Sequence, residues 1–353
     1  VSRPSHGLAV LILAFVGLSG CGEAAEPQPQ TRSSVTANDR DASLAAIDRW
    51  LQAGETGKAE SIARVLRARL PEDPHVAMAL ARTLLSRSGE VESGSVAGDA
   101  ARRNLATEAA ELLGPVHLDR AGSGVDPRAS RRALGLALEA SGRLDQAMAV
   151  YAEAELADDP VAGFHLGLAL LQSERHTEAQ AVLEEVAILR PQDAFVRAAV
   201  AECLLADGDP EAARSMVDTA VALDGDAWAI RVRRASIYRR GGDPRAAVES
   251  LLALDAETRN QSAVIEELVA GWLALESPVR AAETWAEFAR RSRDRPQVAF
   301  AACLEAARCH ALGGRDDDAD AWLAIAADTL PEDPRLARAT AEIADIRAAR
   351  PRP

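Results

Sequence analysis

The sequence predicts an all-α protein built from one helix-turn-helix unit that is repeated along the chain. Three observations support this prediction. An alanine recurs at nearly constant intervals, a glycine precedes it at a fixed distance, and alternating strand patterns longer than a few residues are absent from the sequence. The period is about 34 residues. A period of that length with helical patterning inside it is typical of a solenoid, in which each unit packs only against its neighbours.

The recurring alanine marks the same position in successive units. It stands at Ala59, Ala147, Ala179, Ala213, Ala247, Ala281 and Ala319, and the last six are 32, 34, 34, 34 and 38 residues apart. Alanine has the highest intrinsic helix propensity. Aromatic residues make up only 3% of the chain. We therefore expect helices that approach closely through small side chains between Leu and Val.

Glycine and proline mark the turns of the unit. Five residues before the alanine stands Gly54, Gly142, Gly208, Gly242 or Gly314. A tight turn between antiparallel helices needs a residue that enters the left-handed region without strain, and glycine does so. Proline, which ends helices, stands twelve residues after the alanine at Pro71, Pro191 and Pro331. The string Leu-Pro-Glu-Asp-Pro occurs at both 70–74 and 330–334, so an internal duplication is visible.

These residues resemble the tetratricopeptide repeat family. The resemblance is clearest in Leu134, Gly135, Gly142, Ala147, Tyr151 and Ala154, and in Leu166, Gly167, Ala179, Leu183 and Pro191. It implies an α-solenoid of about eight hairpins over residues 42–334, wound as a right-handed superhelix, with a capping helix and tail over 335–353. The first helix of each hairpin would line a concave groove. Glu174 and Glu276 depart from the pattern, since they replace the turn glycine.

One unit carries extra residues. Ala59 and Ala147 are 88 residues apart, which is two periods of 34 and 20 more. The Ser-Gly-rich run over 88–98 predicts that the insertion is a flexible loop near residues 86–102. Such a loop either extends the binding face or has no role.

The N-terminus predicts a lipid anchor. Arg3, an apolar stretch over 8–16 and Leu18-Ser19-Gly20-Cys21 describe a secretory signal over residues 1–20. The pattern resembles a bacterial lipoprotein signal, which implies lipidation at Cys21; the alternative is an ordinary signal with a coincidental cysteine. Residues 21–41 would form a disordered tether. Gly22 resembles the pattern exported to an outer membrane, so we expect a protein of the cell envelope that faces the periplasm.

The net charge and the cysteines argue against nucleic-acid and anionic-lipid partners, disulfides and a metal site. A net charge of −14 and a pI near 5.0 disfavour nucleic acid and anionic lipid as partners. Cys203, Cys303 and Cys309 are expected to be buried and unpaired. Cys303, Cys309 and His310 do not have the spacing of a zinc site and lack a fourth ligand, so no metal is expected.

The sequence predicts a binding protein without catalytic activity. It contains no nucleophile elbow, phosphate-binding glycine loop or His-Glu-x-x-His pair. No cofactor and no small-molecule substrate are therefore expected. Glu90, Glu92 and Asp99 of the insertion have few apolar neighbours in the sequence to desolvate them, so they are poor candidates for a catalytic acid.

The repeat register predicts a partner-binding groove. Positions two, five, nine and twelve of the first helix in each unit give an apolar floor with basic ends. The predicted groove residues lie on or near these positions and are Arg132, Phe164, Leu168, Leu171, Phe195, Leu205, Arg239, Arg240 and Arg308. Such a surface suits an extended or helical peptide with apolar anchors and acidic or carboxy-terminal groups. The alternative is that the phenylalanines pack against the neighbouring repeat.

Two functional hypotheses follow. In the first, the chain is a membrane-anchored scaffold that binds a protein or peptide partner in its groove, with a role in cell-envelope assembly or secretion. In the second, it is an accessory or catalytic component of envelope polysaccharide processing carried on a helical superhelix. The two differ in whether the insertion folds and carries a buried acid.

Overall fold

The structure is a computed structural model that describes residues 35–91, 96–118, 124–153 and 156–350. These residues form seventeen α-helices, a 3₁₀ turn at Thr258–Asn260 and no strand. The helices are α1 Ala37–Gln52, α2 Thr56–Arg69, α3 Pro74–Glu90, α4 Val96–Leu118, α5 Pro127–Ala140, α6 Leu144–Tyr151, α7 Pro160–Gln172, α8 His176–Leu189, α9 Ala194–Ala206, α10 Pro210–Leu223, α11 Trp228–Arg240, α12 Pro244–Leu252, α13 Ser262–Ala274, α14 Pro278–Arg291, α15 Pro296–Leu312, α16 Asp316–Thr329 and α17 Pro334–Ala349.

The helices pair in chain order into eight antiparallel hairpins, from α1–α2 (hairpin 1) to α15–α16 (hairpin 8), and α17 follows as a single helix. Each second helix packs against the first helix of its own hairpin and against the first helix of the next. The seven recurring alanines are all buried, with exposures of 0–1%. The all-α solenoid predicted from their period is therefore confirmed.

Seven of the helices begin after an aspartate whose side chain caps them. The side chains of Asp73, Asp126, Asp159, Asp193, Asp209, Asp243 and Asp333 accept hydrogen bonds from backbone N–H groups in the first turn of the helix that follows. All but Asp193 are followed by proline at the first helical position, where the missing N–H costs nothing. These caps satisfy donors that would have no partner inside the helix.

The turns between paired helices adopt the left-handed conformation. Gly54, Gly142, Gly208, Gly242 and Gly314 have φ between 72° and 90°, as predicted from their spacing. Glu174 and Glu276, which replace the glycine in hairpins 4 and 7, also have positive φ, at 58° and 54°. The left-handed region is strained for a residue with a Cβ atom, so these two turns keep the geometry of the repeat at a cost in stability.

Glycine also allows helices to approach closely inside a hairpin. A Cβ atom added to Gly135 of α5 would lie 2.8 Å or less from three ring atoms of Tyr151 in α6. The ring cannot easily move, because Tyr151 is only 2% exposed and its hydroxyl donates to Glu139 at 3.1 Å. Gly135 is therefore required by packing.

Two of the predicted boundaries differ from the structure. Helix α1 begins at Ala37 and not after residue 41, because Thr36 and Asp39 form a capping box there. The extra residues of hairpin 2 extend its helices, since α3 runs to Glu90 and α4 from Val96. A loop over 88–98 is thus wrong for residues 88–90 and 96–98, and residues 92–95 lie outside the described part.

Helix α17 packs against hairpin 8 through charged as well as apolar contacts. Arg347 donates to Asp316 at 3.1 Å, and Arg350 donates to the same carboxylate. Arg350 and then Arg347 hold the pKa of Asp316 below its ordinary value of 3.8. Asp316 also lies in the first turn of α16, where a negative charge is favoured by the helix dipole.

Candidate functional site: the first-helix face

The first helices of successive hairpins form one continuous surface. Helix α1 contacts α3, α3 contacts α5, and this continues through α7, α9 and α11 to α13. The first helices of hairpins 1–7 therefore form one row along the solenoid. We call this surface the first-helix face. It is the surface on which the sequence places the predicted groove.

The first-helix face contains a cavity of about 540 Å³ where hairpins 1, 2 and 3 meet. Its walls include four half-buried apolar side chains, Leu51, Met78, Leu85 and Leu136. Leu51 lies in the last turn of α1, Met78 and Leu85 lie on α3, and Leu136 lies on α5. The cavity is within the size range of ligand sites in proteins. We call it the hairpin 1–3 cavity.

Two arginines complete the walls of the hairpin 1–3 cavity, and they differ in how firmly they are held. Arg82 contacts Asp48 at 3.0 Å, and both side chains are 49% exposed. An exposed pair of this kind contributes at most about 1 kcal/mol, so Arg82 can exchange partners. Arg132 contacts Asp159 at 2.9 Å, and the Asp159 side chain is only 7% exposed. Arg132 is therefore fixed between hairpins 3 and 4.

The predicted apolar floor of hairpins 4 and 5 is mostly covered. Phe164, Leu168 and Leu171 are half-buried and pack against a core formed by α6–α9. Leu205 packs in the same way against the core of hairpins 5 and 6. Phe195 differs, since it is 40% exposed and lines a separate open depression beside Leu223. The structure therefore does not bring the five predicted apolar residues together as one open floor.

The predicted basic ends of the groove are largely neutralised by ion pairs. Arg239 donates to both carboxylate oxygens of Glu267, at 2.6 and 3.2 Å. Arg308 donates to Glu305 at 2.9 Å and also to Glu342. Among the predicted arginines, Arg240 is exposed and has no carboxylate partner in the described part of the chain. Arg132, Arg239 and Arg308 are thus held in ion pairs, and a partner would have to compete with Asp159, Glu267 and Glu342 for them.

Helix α15, the first helix of hairpin 8, carries a partly buried carboxylate, Glu305. Burial raises the pKa of Glu305, the neighbouring Glu342 raises it further, and Arg308 opposes both. The cause is that a charged carboxylate loses hydration when it is covered. An acidic partner is therefore less favoured here than at the hairpin 1–3 cavity.

The remaining candidate residues occupy structural positions. Cys203, Cys303 and Cys309 are buried without a disulfide, and burial raises the pKa of their thiols to about 12, 11 and 12. Within the ranges described, no group of three or more His, Cys, Asp or Glu side chains is placed to hold a metal ion. Glu90 is exposed, and its carboxylate accepts a hydrogen bond from Thr56 at 2.5 Å.

The predicted anchor lies outside the described residues. Residues 1–20 and Cys21 precede the first described residue, Val35. In the part of the chain that the structure covers, no helix combines the length and apolar character needed to cross a bilayer.

The sequence did not predict the apolar residues that line the hairpin 1–3 cavity. They lie on first helices, as the predicted groove residues do, but in hairpins 1–3; they are Leu51, Met78, Leu85 and Leu136. Hairpin 2 lacks the marker alanine at the expected distance, so its register could not be assigned. Leu51 and Leu136, however, lie at positions twelve and nine of the first helix in their own units. The repeat register could therefore have identified these two residues.

Comparison with known proteins agrees with this architecture. A family model described as tetratricopeptide repeat matches three overlapping windows, residues 132–194, 164–214 and 201–262. No curated protein matches the chain.

Solved structures show the same fold. A tetratricopeptide repeat protein from Parabacteroides merdae has a TM-score of 0.54 at 13% identity, with 75% of this chain and 98% of that chain covered. Yeast Tom70 has a TM-score of 0.53 at 13% identity, with 91% and 66% covered. The Cut9–Hcn1 hetero-tetramer of APC/C has a TM-score of 0.50 at 16% identity, with 75% and 49% covered. The chain is thus an all-α solenoid that carries tetratricopeptide repeats over residues 132–262, a fold that supports protein or peptide binding.

Proposed function

We propose that this chain is a scaffold that binds a protein partner along the first-helix face, with the hairpin 1–3 cavity as the anchoring site. The observation that carries the proposal is the cavity itself. It presents four half-buried apolar side chains around about 540 Å³ of space, and it lies on the surface that the stacked first helices make continuous. A segment of a partner that inserts apolar side chains into a helical groove is a recurring mode of recognition.

The walls of the cavity define the partner's chemistry. Leu136 is half-buried and Met78 lies across from it on α3, so the inserted side chain is apolar. Among the described residues Arg82 is paired only with the exposed Asp48, so a carboxylate next to the inserted side chain can take the place of Asp48. The preferred ligand is an apolar residue that is adjacent in sequence to an acidic residue.

The test compares one substitution at two sites. Leu136→Glu places a charge on the cavity wall, whereas Val65→Glu makes the same kind of change at a residue of α2 that is 48% exposed. Crosslinking and capture from native membranes should recover the same partner with the original chain and with Val65→Glu, and lose it with Leu136→Glu. Circular dichroism verifies that both variants remain helical. Recovery of the partner by a folded Leu136→Glu chain would contradict the proposal.

We also propose that Cys21 is lipidated and holds the scaffold at a bacterial membrane, with the outer membrane facing the periplasm as the favoured location. The support is the sequence pattern Leu18 to Cys21. The fifteen residues from Gly22 to Thr36 precede α1 and would span about 20 Å as a flexible chain. The first-helix face would then reach envelope proteins near the membrane, in keeping with a role in envelope assembly or secretion.

A further inference from the structure

One edge of the solenoid exposes large apolar side chains at hairpins 4–6. At this edge the second helix of each hairpin ends and the first helix of the next hairpin begins. The exposed residues here are Ile188, Leu189, Phe195, Leu223 and Trp228, and they are between 37% and 79% exposed. We call these five residues the edge patch. None of them lines the hairpin 1–3 cavity, so the patch is separate from the site proposed above.

The stacking of hairpins does not require these apolar residues. Ile188 and Leu189 stand nine and ten residues after the recurring alanine of hairpin 4. Among the other hairpins whose second helix has fourteen residues, the same two positions hold Ala68-Arg69 in hairpin 1, Ala222-Leu223 in hairpin 5, Arg290-Arg291 in hairpin 7 and Asp328-Thr329 in hairpin 8. Polar side chains there are compatible with the same fold. An exposed apolar group that the fold does not need is typical of an interaction surface.

Phe195 and Leu223 line an open depression of about 560 Å³ in the middle of the edge patch. Phe195 lies in the first turn of α9, and Leu223 is the last residue of α10. Ile188 and Leu189 end α8 on the hairpin 4 side of the depression, and Trp228 begins α11 on the hairpin 6 side. The depression can therefore receive an apolar side chain from a surface that covers the whole patch.

The hairpin 4 side of the depression is basic. Residues 188–197 contain two arginines and one aspartate, which leaves one net positive charge. Arg190 pairs with Asp193 at 2.9 Å. Arg197 donates to the carbonyl of Pro191 at 2.8 and 3.2 Å and has no carboxylate partner in the ranges described. Its remaining N–H groups are available to an acidic residue.

The hairpin 6 side of the depression is acidic. Residues 222–231 lie one period of 34 further along and contain two aspartates and one arginine, which leaves one net negative charge. Asp224 and Asp226 are exposed, and neither pairs with a lysine or arginine among the residues that the structure covers. Arg231 donates to the carbonyl of Gly225 at 2.5 Å. The two sides of the depression thus have opposite charge.

We propose that the edge patch is the contact surface of a homodimer, in which a second copy of this chain binds about a two-fold axis through the depression. In such a contact the same patch is used twice, so that if residue i meets residue j, j also meets i. Residues 188–197 of each copy then face residues 222–231 of the other. The apolar residues meet at the centre, and Arg197 of each copy faces Asp226 of the other.

The charges favour a second copy over other occupants. An apolar centre between a basic and an acidic segment is complementary to itself when it is rotated by half a turn, and charge complementarity of this kind selects partner and register. A basic or acidic peptide would match only one of the two segments. Anionic lipid would be repelled by the exposed aspartates and by the net charge of −14. Because the hairpin 1–3 cavity lies outside the contact, the dimer presents two such cavities.

Sedimentation velocity of the full chain at increasing concentration tests the proposal. Every sample carries Cys21→Ala, so that acylation does not contribute to association. The buffer contains about 0.15 M NaCl, at which the Debye length is about 8 Å and repulsion between two acidic copies is largely screened. We expect a monomer–dimer equilibrium with a dissociation constant on the order of micromolar, as is typical of small interfaces.

Substitutions in the apolar centre identify the surface. Phe195→Lys and Leu223→Lys each place a charge there and should weaken dimerisation at least about tenfold. Ile325→Lys is the matched control, because Ile325 is 45% exposed on α16 of hairpin 8 and lies outside the patch. It should dimerise like the original chain. Circular dichroism establishes that each variant is helical.

Charge reversal tests the two-fold geometry. In Arg197→Asp alone or Asp226→Arg alone, like charges meet at both of the symmetric contacts, so dimerisation should weaken at least about tenfold. In an equimolar mixture of the two variants, opposite charges meet again at both contacts of the mixed dimer. The mixture should therefore dimerise like the original chain, although neither variant does so by itself.

Three results would overturn the proposal. The first is a chain that remains monomeric up to about 100 μM. The second is an equal effect of Ile325→Lys and of the two substitutions in the apolar centre. The third is a mixture of the charge-reversed variants that dimerises no better than either variant alone. A monomeric chain that binds anionic lipid vesicles, and loses that binding with Phe195→Lys, would assign the patch to a membrane instead.

Discussion

Replacement of Gly135 by alanine should destabilise the chain, although alanine favours helices. An alanine in α5 gains up to about 1 kcal/mol of helix propensity over glycine. The added methyl group, however, would lie 2.8 Å or less from three atoms of the Tyr151 ring. That ring is buried, donates to Glu139, and stacks on His165 with centroids 5.9 Å apart, so it has little room to retreat.

Forcing a methyl group into such a site costs about 1–3 kcal/mol. Three contacts of 2.8 Å or less place this site at the upper end of that range, about 2–3 kcal/mol. The expected net loss for Gly135→Ala is therefore about 1–2 kcal/mol after the gain in propensity. Gly89→Ala is the matched control, because Gly89 is also helical and an added Cβ atom meets nothing within 4 Å. That control should gain about 0.5–1 kcal/mol.

Urea unfolding followed by far-UV circular dichroism measures both changes. The denaturation midpoint should fall for Gly135→Ala and rise for Gly89→Ala. In a Tyr151→Leu background the cost of Gly135→Ala should shrink, since the two residues are in contact and their effects are coupled. If Gly135→Ala instead raises the midpoint, or if its cost is unchanged in the Tyr151→Leu background, the packing argument is wrong.

Four further predictions concern single positions. Glu174→Gly should raise the free energy of unfolding by about 0.5–1 kcal/mol, because it relieves a positive φ; a loss of stability in urea unfolding would refute this. Because the pKa of Asp316 is lowered in the folded chain, its stabilising effect is present above its ordinary value of 3.8 and is lost as the pH falls through the lowered value. The protection factors of the α17 amides, which compare exchange with the intrinsic rate at each pH, should therefore fall at acid pH in the original chain and much less so in Asp316→Asn, and an identical pH response would argue against the ion pair. Phe164→Ala should lower stability by about 2 kcal/mol because Phe164 packs in a core, whereas Phe195→Ala should change it by less than about 0.5 kcal/mol; equal melting temperatures would disprove the distinction. Cys21→Ala should move the protein from the membrane fraction to the aqueous fraction or stall its processing, and a membrane-bound variant of unchanged mass would refute lipidation.

The fold could be predicted because its signals are local and repeated. The left-handed turn at Gly142 and the buried position of Ala147 each depend on a few neighbouring residues, and the same short pattern recurs at constant spacing. The helical course of residues 88–90 could not be predicted in this way. A Ser-Gly composition is typical of loops, but a helix that is already packed, such as α3, can continue through it because tertiary contacts outweigh propensity.

The candidate site was less predictable because its electrostatics depend on residues about one repeat away. The partner of Arg239 is Glu267, which lies 28 residues further along the chain. The partner of Arg132 is Asp159, 27 residues away. Nothing in the local sequence around either arginine reveals these pairs, so the basic ends of the groove were predicted without their carboxylate partners.

The aspartate caps have a consequence for how a gene of this kind can change. Asp209 and Asp243 each cap a helix, each is followed by proline, and they are 34 residues apart. A recombination event that joined the chain at these two points would remove one complete module and leave an intact helix start at the junction. The same exchange in the other direction would add a module. The solenoid can therefore gain or lose length in whole units, while the surviving modules keep the start signals that their own residues encode.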